Sequence, residues 1–315
     1  MSKPSCATYH AACPHSQQNL PDVSHSRAHL RKLGFLGCAV QFWVLFLLLG
    51  GAHATAWAQP TSPAAARLEY LFLPASGARP DTDSIQGRFA PPAGTERVPV
   101  APRSFAAWLR ELPLLPIGSP VLLYDGQQKP RQDVHAAVTS LDVPKRDLQQ
   151  CADAVMRLRA EYLLALGKPQ QIRFHPDPGK PRVLAFAGGS RADFMSYMLR
   201  VFSAAGSASL QAELPKVDAS TPLQPGDILI QGGYPGHAIL VLDVVAGGGR
   251  RLLLLGQSYM PAQQFHVLKN TQDPALSPWF DEARLDTKPG LFTPEWWRPF
   301  ARSDVRHFAK IPGEP

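Results

Sequence analysis

Three side chains in this 315-residue chain have the types and the order that thiol catalysis requires: those of Cys151, His237 and Gln257. A cysteine nucleophile needs a base that takes its proton and a polar group that orients the base. Cys151 falls within the first turns of a predicted helix, and a helix N-terminus lowers the pKa of a thiol. His237 begins an apolar run directly after the glycine-rich loop at 232–236, and Gln257 lies near the end of the next apolar run. We interpret Cys151 as a candidate nucleophile, His237 as its base and Gln257 as an orienting or oxyanion amide.

Each of these residues also has an ordinary structural explanation. Cys151 belongs to an apolar stripe at helical spacing, where a small buried hydrophobic residue is common. The stripe consists of Cys151, Val155, Leu158 and Tyr162. His237 is equally compatible with a strand-end histidine whose polar atoms are satisfied locally, and Asp227 with a residue that caps a turn. The sequence leaves both interpretations open.

The sequence gives little support to a metal, a cofactor or a nucleic acid. A metal site from His237, His266 and Asp243 is conceivable, but the spacing of the three is not diagnostic. HExxH, GxSxG and phosphate-binding motifs are absent from the sequence. Of the net charge of +7, the first 58 residues carry +3, and the remaining +4 forms no basic stripe. We predict no cofactor, no metal and no nucleic-acid partner.

Periodicity predicts the elements that must position these side chains. Helical spacing indicates one helix from about Arg146 to Leu166 and another from about Ser190 to Ala205. Asp153, Arg157 and Glu161 form an i, i+4 charge ladder on the side of the first helix away from the apolar stripe. Apolar runs predict strands at 68–73, 228–230, 237–245, 251–259 and 261–270, with a hairpin through the glycines at 247–249. Proline is abundant, at 32 residues, which disfavours a helical bundle. The prediction is a single α+β domain over 68–315.

The first 58 residues are typical of a secretory signal. Arg31 and Lys32 precede an apolar run at 33–51, and the small-x-small sequence at 56–58 suggests cleavage before Gln59. The alternative is an uncleaved membrane anchor, because the run is long enough to span a bilayer. Residues 59–67 are interpreted as a linker. We expect an exported protein of the periplasm or cell envelope that meets the membrane only through this segment if it is not cleaved.

Removal of the signal would leave one cysteine. Cys6, Cys13 and Cys38 all precede the cleavage site, so Cys151 would be the only thiol of the exported protein. An intramolecular disulfide is then impossible, and the thiol is either buried and inert or kept for chemistry.

Several sequence blocks resemble a bacterial family of unknown function numbered 4846, over roughly residues 68–300. The blocks are QCADAVMRLRAEYL (150–163), GGSRADFMSYMLRVF (188–202), SASLQAEL (207–214), QPGDILIQGGYPGHAILVLDVV (224–245), QSYMPAQQFHVLKN (257–270) and SPWF (277–280). The resemblance implies an exported or lipid-anchored single-domain protein and supplies no activity.

A more distant resemblance links the blocks LRVFSAAGSASLQAEL, LQPGDILIQ and GHAILVLDVV to the NlpC-type papain-like cell-wall hydrolases. In those enzymes a nucleophile helix precedes a PGD turn and a GHV-type histidine strand, and His237 matches the position of the base. The aligned helix begins SRADF, so Ser190 stands near the expected cysteine, and the only thiol lies on the preceding helix. Either Cys151 acts from a different helix, or the site has lost its nucleophile, in which case Ser190 and Asp193 are ligand contacts.

These observations predict a papain-like α+β fold with helices packed on a small antiparallel sheet. The leading function is a cell-envelope thiol hydrolase that acts on an amide bond, for example in peptidoglycan peptides. The alternative is a non-catalytic binding module for a cell-wall peptide or glycan on the same fold, and a third possibility is a purely structural envelope protein. The candidate binding residues are Ser190, Asp193, Asp227, Gly236, Ser258, Tyr259, Gln263 and Trp279.

The cleavage hypothesis predicts the N-terminus of the exported protein. We expect the intact mass of protein recovered from the cell envelope to correspond to a chain that begins at Gln59, because the segment at 56–58 presents small residues to a signal peptidase. Mass spectrometry of the purified protein measures this. A mass that retains the apolar run at 33–51 would show a membrane anchor instead.

Overall fold

An antiparallel sheet of eight strands forms the centre of residues 67–73 and 83–315, which are the residues described by the computed structural model. They lie within one compact unit, Pro60–Pro315. The predicted signal segment (1–58) and residues 59–66 of the predicted linker lie outside the described residues, so their predictions remain predictions.

Helices and strands alternate irregularly along the chain. The helices are α1 (Ile85–Arg88), α2 (Phe105–Arg110), α3 (Cys151–Ala165), α4 (Arg191–Ala204) and α5 (Ser207–Glu213). The strands are β1 (Glu96–Arg97), β2 (His135–Val138), β3 (Arg173–Phe174), β4 (Leu184–Ala185), β5 (Ile228–Gln231), β6 (His237–Gly247), β7 (Arg250–Gln257), β8 (His266–Leu268), β9 (Trp279–Asp281) and β10 (Val305–Arg306). Short 3₁₀ helices lie at Pro169–Gln171, Glu282–Asp286 and Arg302–Asp304.

The main sheet has the strand order β10-β5-β6-β7-β8-β2, with β1 paired to the far end of β6 and β9 paired to β7. The predicted hairpin is confirmed: β6 and β7 pair antiparallel from Leu240 opposite Gly256 to Gly247 opposite Arg250. The strand predicted at 261–270 is present as the shorter β8, which pairs with the end of β7. A mixed fold of helices and an antiparallel sheet is therefore confirmed.

The strand predicted at 68–73 is wrong. Residues 67–73 form an irregular segment that ends in a turn. The rings of Tyr70 and Phe72 pack on Trp108 of α2, with centroids 4.9 and 6.5 Å from its ring, and the Tyr70 hydroxyl donates to the Trp108 carbonyl at 2.7 Å. Aromatic packing on a helix, and not pairing with a strand, buries these apolar residues.

Helix α3 is buried on every side from Cys151 to Leu163. The charge ladder therefore does not face solvent as an amphipathic helix would require. Arg157 is fully buried, and its guanidinium donates to the Asp142 carboxylate at 2.5 Å, to Gln149 Oε1 at 2.6 Å and to Glu161 at 3.2 Å. Buried charges persist only when they are paired and hydrogen-bonded, and these contacts meet that requirement.

Two apolar layers lie on either side of the sheet. One layer joins α2, α3 and α4 to residues such as Leu240 and Leu254. The other joins residues such as Ile239 and Leu255 to Phe300 of the C-terminal segment. The central strands are buried on both faces, which explains why β6 is apolar apart from His237 and Asp243. Within the described ranges, the helices are all too short or too polar to cross a membrane.

The network around Arg157 predicts a large loss of stability when it is broken. We expect Arg157→Ala to lower the free energy of unfolding by about 3–5 kcal/mol, because Glu161 would lose a buried partner. Denaturant unfolding measures this. The matched control is Arg182→Ala, because Arg182 is 61% exposed and pairs with Asp177 only at 3.6 Å, and its loss should be below about 1 kcal/mol. Equal losses in both variants would contradict the importance of the buried network.

Candidate functional site

Cys151 is the first residue of α3, not a residue of its second turn. The sequence predicted a helix from about Arg146, but residues 146–150 are not helical. The carboxylate of Asp153 accepts the backbone N–H of Gln150 at 3.1 Å, which caps the helix one residue before the cysteine. The N–H groups of the first helical turn have no acceptor within the helix. The thiol is therefore placed beside free backbone donors.

The thiol of Cys151 lies against the backbone that leads into β6. Its S–H points to the Gly236 carbonyl, with a sulfur to oxygen distance of 3.9 Å. Burial raises the pKa of the thiol to about 11, although the backbone N–H groups of Ala238 and of the first helical turn act in the opposite direction. The side chain is 5% exposed. At neutral pH the resting state is therefore a protonated thiol.

His237 and Gln257 form a buried pair. His237 Nε2 lies 2.9 Å from Gln257 Oε1. Since an amide oxygen only accepts, Nε2 carries the ring proton and Nδ1 carries a lone pair. No described residue hydrogen-bonds to this Nδ1 atom. The ring belongs to the residue that follows Gly236, whose carbonyl is the contact of the Cys151 thiol, and no hydrogen bond joins the side chains of Cys151 and His237 in this conformation.

Aromatic side chains enclose the imidazole of His237. Its ring centroid lies 5.0 Å from that of Tyr259, 5.2 Å from Trp297 and 6.2 Å from Phe300. Burial lowers the pKa of His237 to about 4, and the hydrogen bond to Gln257 opposes this shift. The ring is thus neutral at physiological pH, as a general base must be before it takes a proton.

A groove of about 760 Å³ opens beside Cys151. Its walls are the start of α3, the 202–209 segment between α4 and α5, and the 233–236 loop. Tyr234 on this loop is fully exposed, and Met260 on the opposite rim is 38% exposed. The groove is large enough to hold several atoms of a peptide or sugar next to the thiol.

Gly236 and Ser258 hold the site together. A side chain at Gly236 would place its Cβ 1.9 Å from Ser207 Oγ, so only glycine allows the loop to approach α5 this closely. The Ser258 hydroxyl lies 3.2 Å from the carbonyl of Gln149 and 2.8 Å from that of Gln263. It therefore ties the end of β7 to the residues that precede Cys151 and, although Ser258 was a predicted binding residue, it does not line the groove.

Four of the predicted binding residues lie away from the groove beside Cys151 and have structural roles elsewhere. Ser190 and Asp193 hydrogen-bond to each other as the N-terminal cap of α4. Asp227 accepts the N–H of Gln224 at 2.8 Å and lines a different groove, and its burial raises its pKa to about 7. Trp279 is buried in β9 opposite Leu254, and both side chains belong to the same apolar core. None of the four lines the groove beside Cys151.

Gln263, another predicted binding residue, is buried, and its backbone carbonyl accepts a hydrogen bond from the Ser258 hydroxyl. Tyr259 borders His237, and its hydroxyl donates to the Trp296 carbonyl at 3.2 Å. Burial raises the pKa of Tyr259, and the negative charge of Glu295 acts in the same direction.

The conceivable metal site is not assembled. Asp243 is held by Arg97 at 2.7 Å and by Arg110 at 2.5 Å, so its oxygens are occupied. In the part of the chain that the structure describes, there is no cluster of three or more His, Cys, Asp and Glu residues suited to a metal ion.

Comparison with known families agrees with the extent of this domain. Residues 85–182 and 185–307 match the family described as domain of unknown function (4846). The chain belongs to this family. The match includes α3, both strands of the His237–Gln257 pair and the groove. No curated protein and no solved structure matches the chain.

Sequence reasoning missed several residues of the site in this member of the 4846 family. Trp297 and Phe300 cover His237, and the available indication was only the aromatic composition of the segment at 296–300. Ser207 was missed because α5 was not predicted as a helix. Tyr234 was treated as part of a tight loop, although its ring is presented to solvent beside the groove.

Burial of Cys151 predicts slow alkylation. At pH 7 we expect iodoacetamide to modify Cys151 of the native protein about a hundredfold more slowly than that of the unfolded protein, because a pKa raised from 9.0 to about 11 lowers the thiolate fraction by two powers of ten. Peptide mass mapping distinguishes Cys151 from the other cysteines. The rate should rise steadily up to about pH 11. Fast modification at pH 6 that is lost in His237→Ala would show a thiolate already paired with the imidazole.

Proposed function

We propose that this protein is an exported cell-envelope thiol hydrolase that cleaves amide bonds, with Cys151 as nucleophile, His237 as base and Gln257 as orienting residue. The observation that carries the proposal is the state of His237. Its Nε2–H is committed to Gln257 Oε1, and its Nδ1 lone pair is unpaired among the described residues. The same residue follows the carbonyl that the Cys151 thiol contacts, beside a groove.

The electrostatics favour a neutral pair that reacts in one concerted step. Burial raises the pKa of Cys151 and lowers that of His237, so a thiolate–imidazolium pair is disfavoured before substrate arrives. For catalysis the thiol turns from the Gly236 carbonyl to Nδ1 of His237. The S–H proton then moves to Nδ1 as sulfur bonds to the carbonyl carbon of the substrate.

The rest of the reaction uses the same groups. We assign the binding of the developing oxyanion to the backbone N–H groups of Cys151 and Ala152, because they are the first donors of α3 and have no acceptor within the helix. Gln257 Oε1 stabilises the imidazolium through Nε2–H. His237 then gives its Nδ1 proton to the leaving amine as the C–N bond breaks, and a water activated by His237 hydrolyses the thioester to restore the thiol.

The proposed relation to papain-like and NlpC-type enzymes rests on the order of the elements along the chain and on which ring nitrogen of His237 contacts the amide. A helix that begins at the cysteine precedes a strand that begins at the histidine and a strand that ends at an amide. Gln257 contacts Nε2 of His237, which leaves Nδ1 to take the proton of the thiol. The two ring nitrogens of the histidine in a catalytic triad have these two roles. The predicted signal at 1–58, and the single thiol that its removal would leave, support a role outside the cytoplasm, with cell-wall peptides as the substrate class.

One observation favours a second function, a non-catalytic binding module. Cys151 is nearly inaccessible and strongly protonated, as an inert core cysteine is. The groove persists without the thiol, and exposed Tyr234 and Met260 on its rim suit a peptide or glycan. In that case Cys151→Ala leaves affinity intact, whereas Tyr234→Ala reduces it.

An acylation experiment tests the hydrolase. We expect p-nitrophenyl acetate to release a burst of nitrophenol and to leave one acetyl group on Cys151 of the full-length protein, because His237 can take the thiol proton during attack. Stopped-flow absorbance and peptide mass spectrometry measure the two products. His237→Ala should lower the acylation rate by about 10²–10⁴, the usual contribution of a general base.

The matched control is His307→Ala, which removes a partly buried histidine that lines the different groove of Asp227. It should leave the burst unchanged. Release of muropeptides from purified sacculi, followed by mass spectrometry, then identifies the natural bond. Acylation that is absent in the wild type, or equal in His237→Ala, would exclude the hydrolase, and retained binding of sacculi by Cys151→Ala would favour the binding module.

A further inference from the structure

Four polar side chains form a row across four adjacent strands. The strands β6, β7, β8 and β2 are neighbours in the sheet. They carry, in that order, His237, Gln257, His266 and His135. His237 hydrogen-bonds to Gln257, Gln257 is directly opposite His266 in the register, and the rings of His266 and His135 lie 6.1 Å apart. Opposed residues of an antiparallel pair project from the same face, so Gln257 and His266 lie side by side, and the ring contact extends the row to His135, which itself stands opposite Leu268.

His266 has a fixed hydrogen-bond polarity. Its Nδ1 lies 2.9 Å from the carbonyl oxygen of Gln264. A carbonyl only accepts, so Nδ1 carries the proton and Nε2 carries a lone pair. The ring is fully buried, and burial lowers its pKa to about 3, which keeps it neutral at physiological pH. Nε2 has no hydrogen-bond partner among the described residues.

Gln257 stands between the acceptor nitrogen of His266 and the ring of His237. Its Oε1 faces His237, and its Nε2 is buried without a partner in the described part of the chain. An amide can occupy the same space in two orientations, with oxygen and nitrogen exchanged. The exchange would present NH₂ to His237 and an oxygen toward the side of His266. His237 would then accept through Nε2 and carry its proton on Nδ1, where the thiol proton must go.

We infer that His266 is a positioning residue that selects the orientation of the Gln257 amide and, through it, the reactive tautomer of His237. The lone pair on His266 Nε2 is attracted to the amide NH₂ group and repelled by the amide oxygen. Because both atoms are buried, this preference is not screened by solvent. The Gln264 carbonyl fixes the proton of His266 on Nδ1, and His266 Nε2 then favours the amide NH₂ group of Gln257 on its side. Gln257 Oε1 therefore accepts the proton of His237 Nε2, and the lone pair on His237 Nδ1 remains available to act as a base.

This inference rests on the proposed function only for its catalytic consequence. The tautomer of His237 is a property of the resting protein and is measurable without a substrate. If the protein has no hydrolase activity, the polarity of the row still holds. If the row has no effect on His237, the hydrolase can still operate with a tautomer fixed by Gln257 alone.

Nitrogen-15 NMR of the full-length protein with labelled histidine tests the inference. Long-range proton–nitrogen correlations distinguish a protonated from an unprotonated ring nitrogen. In the wild type we expect His237 as the single Nε2–H tautomer and His266 as the single Nδ1–H tautomer at pH 7. In His266→Phe, which keeps a ring but removes the acceptor, we expect the His237 signal to become an average of both tautomers.

The matched control is Leu268→Val, which changes the packing of β8 and no polar side-chain atom, and it should leave the His237 tautomer unchanged. Should esters acylate Cys151, His266→Phe should also slow acylation about twofold with little change in KM, because about half of the molecules would then carry the His237 proton on Nδ1. An unchanged His237 tautomer in folded His266→Phe would overturn the inference. Because that variant can fail to fold, the wild type provides a second test: an Nε2–H tautomer of His266 would overturn it as well.

Discussion

The complete burial of α3 is the constraint on which the rest of the structure depends. A helix surrounded by protein must satisfy its charged side chains internally, and Arg157, Arg159 and Glu161 each do so with partners elsewhere in the chain. Arg159 pairs with Glu314 near the C-terminus, and Glu161 pairs with Arg191 at the start of α4. These contacts fix the helix along its length and around its axis. They therefore also fix where its first residue, Cys151, meets the sheet.

The same burial sets the chemical state of the site. Desolvation opposes charge on any group, so it protonates the thiol and deprotonates the imidazole. A pair of this kind holds no ion pair at rest and depends on proton transfer during attack. The aromatic cover formed by Tyr259, Trp297 and Phe300 maintains this state by excluding water from the ring. Access from the groove reaches the site from the side of the thiol and not from the side of the base.

In the polar row across the sheet, the donor or acceptor role of one buried group limits the role of the next. Between the two apolar layers, hydrogen-bond donors and acceptors have few alternatives, so each fixed partner restricts the next. The carbonyl of Gln264 is part of the backbone and cannot change its role. Through His266 and Gln257 its polarity reaches His237 over three strands. A backbone group thereby contributes to the tautomer of a side chain that it does not touch.

The sequence by itself determined the elements with strong local patterns: helix α4, the β6–β7 hairpin at its glycine turn, and the mixed class of the fold. It also indicated Cys151, His237 and Gln257, because residue type and order along the chain are local information. Only the tertiary structure decided that α3 is buried on its charged side and begins at Cys151, that Trp279 belongs to the core, and that Ser190 and Asp193 cap a helix away from the groove. It alone also placed His266 opposite Gln257. The physical reason is that burial, register and the partners of a charged group depend on segments far apart in the chain, whereas periodicity and capping depend on neighbours a few residues away.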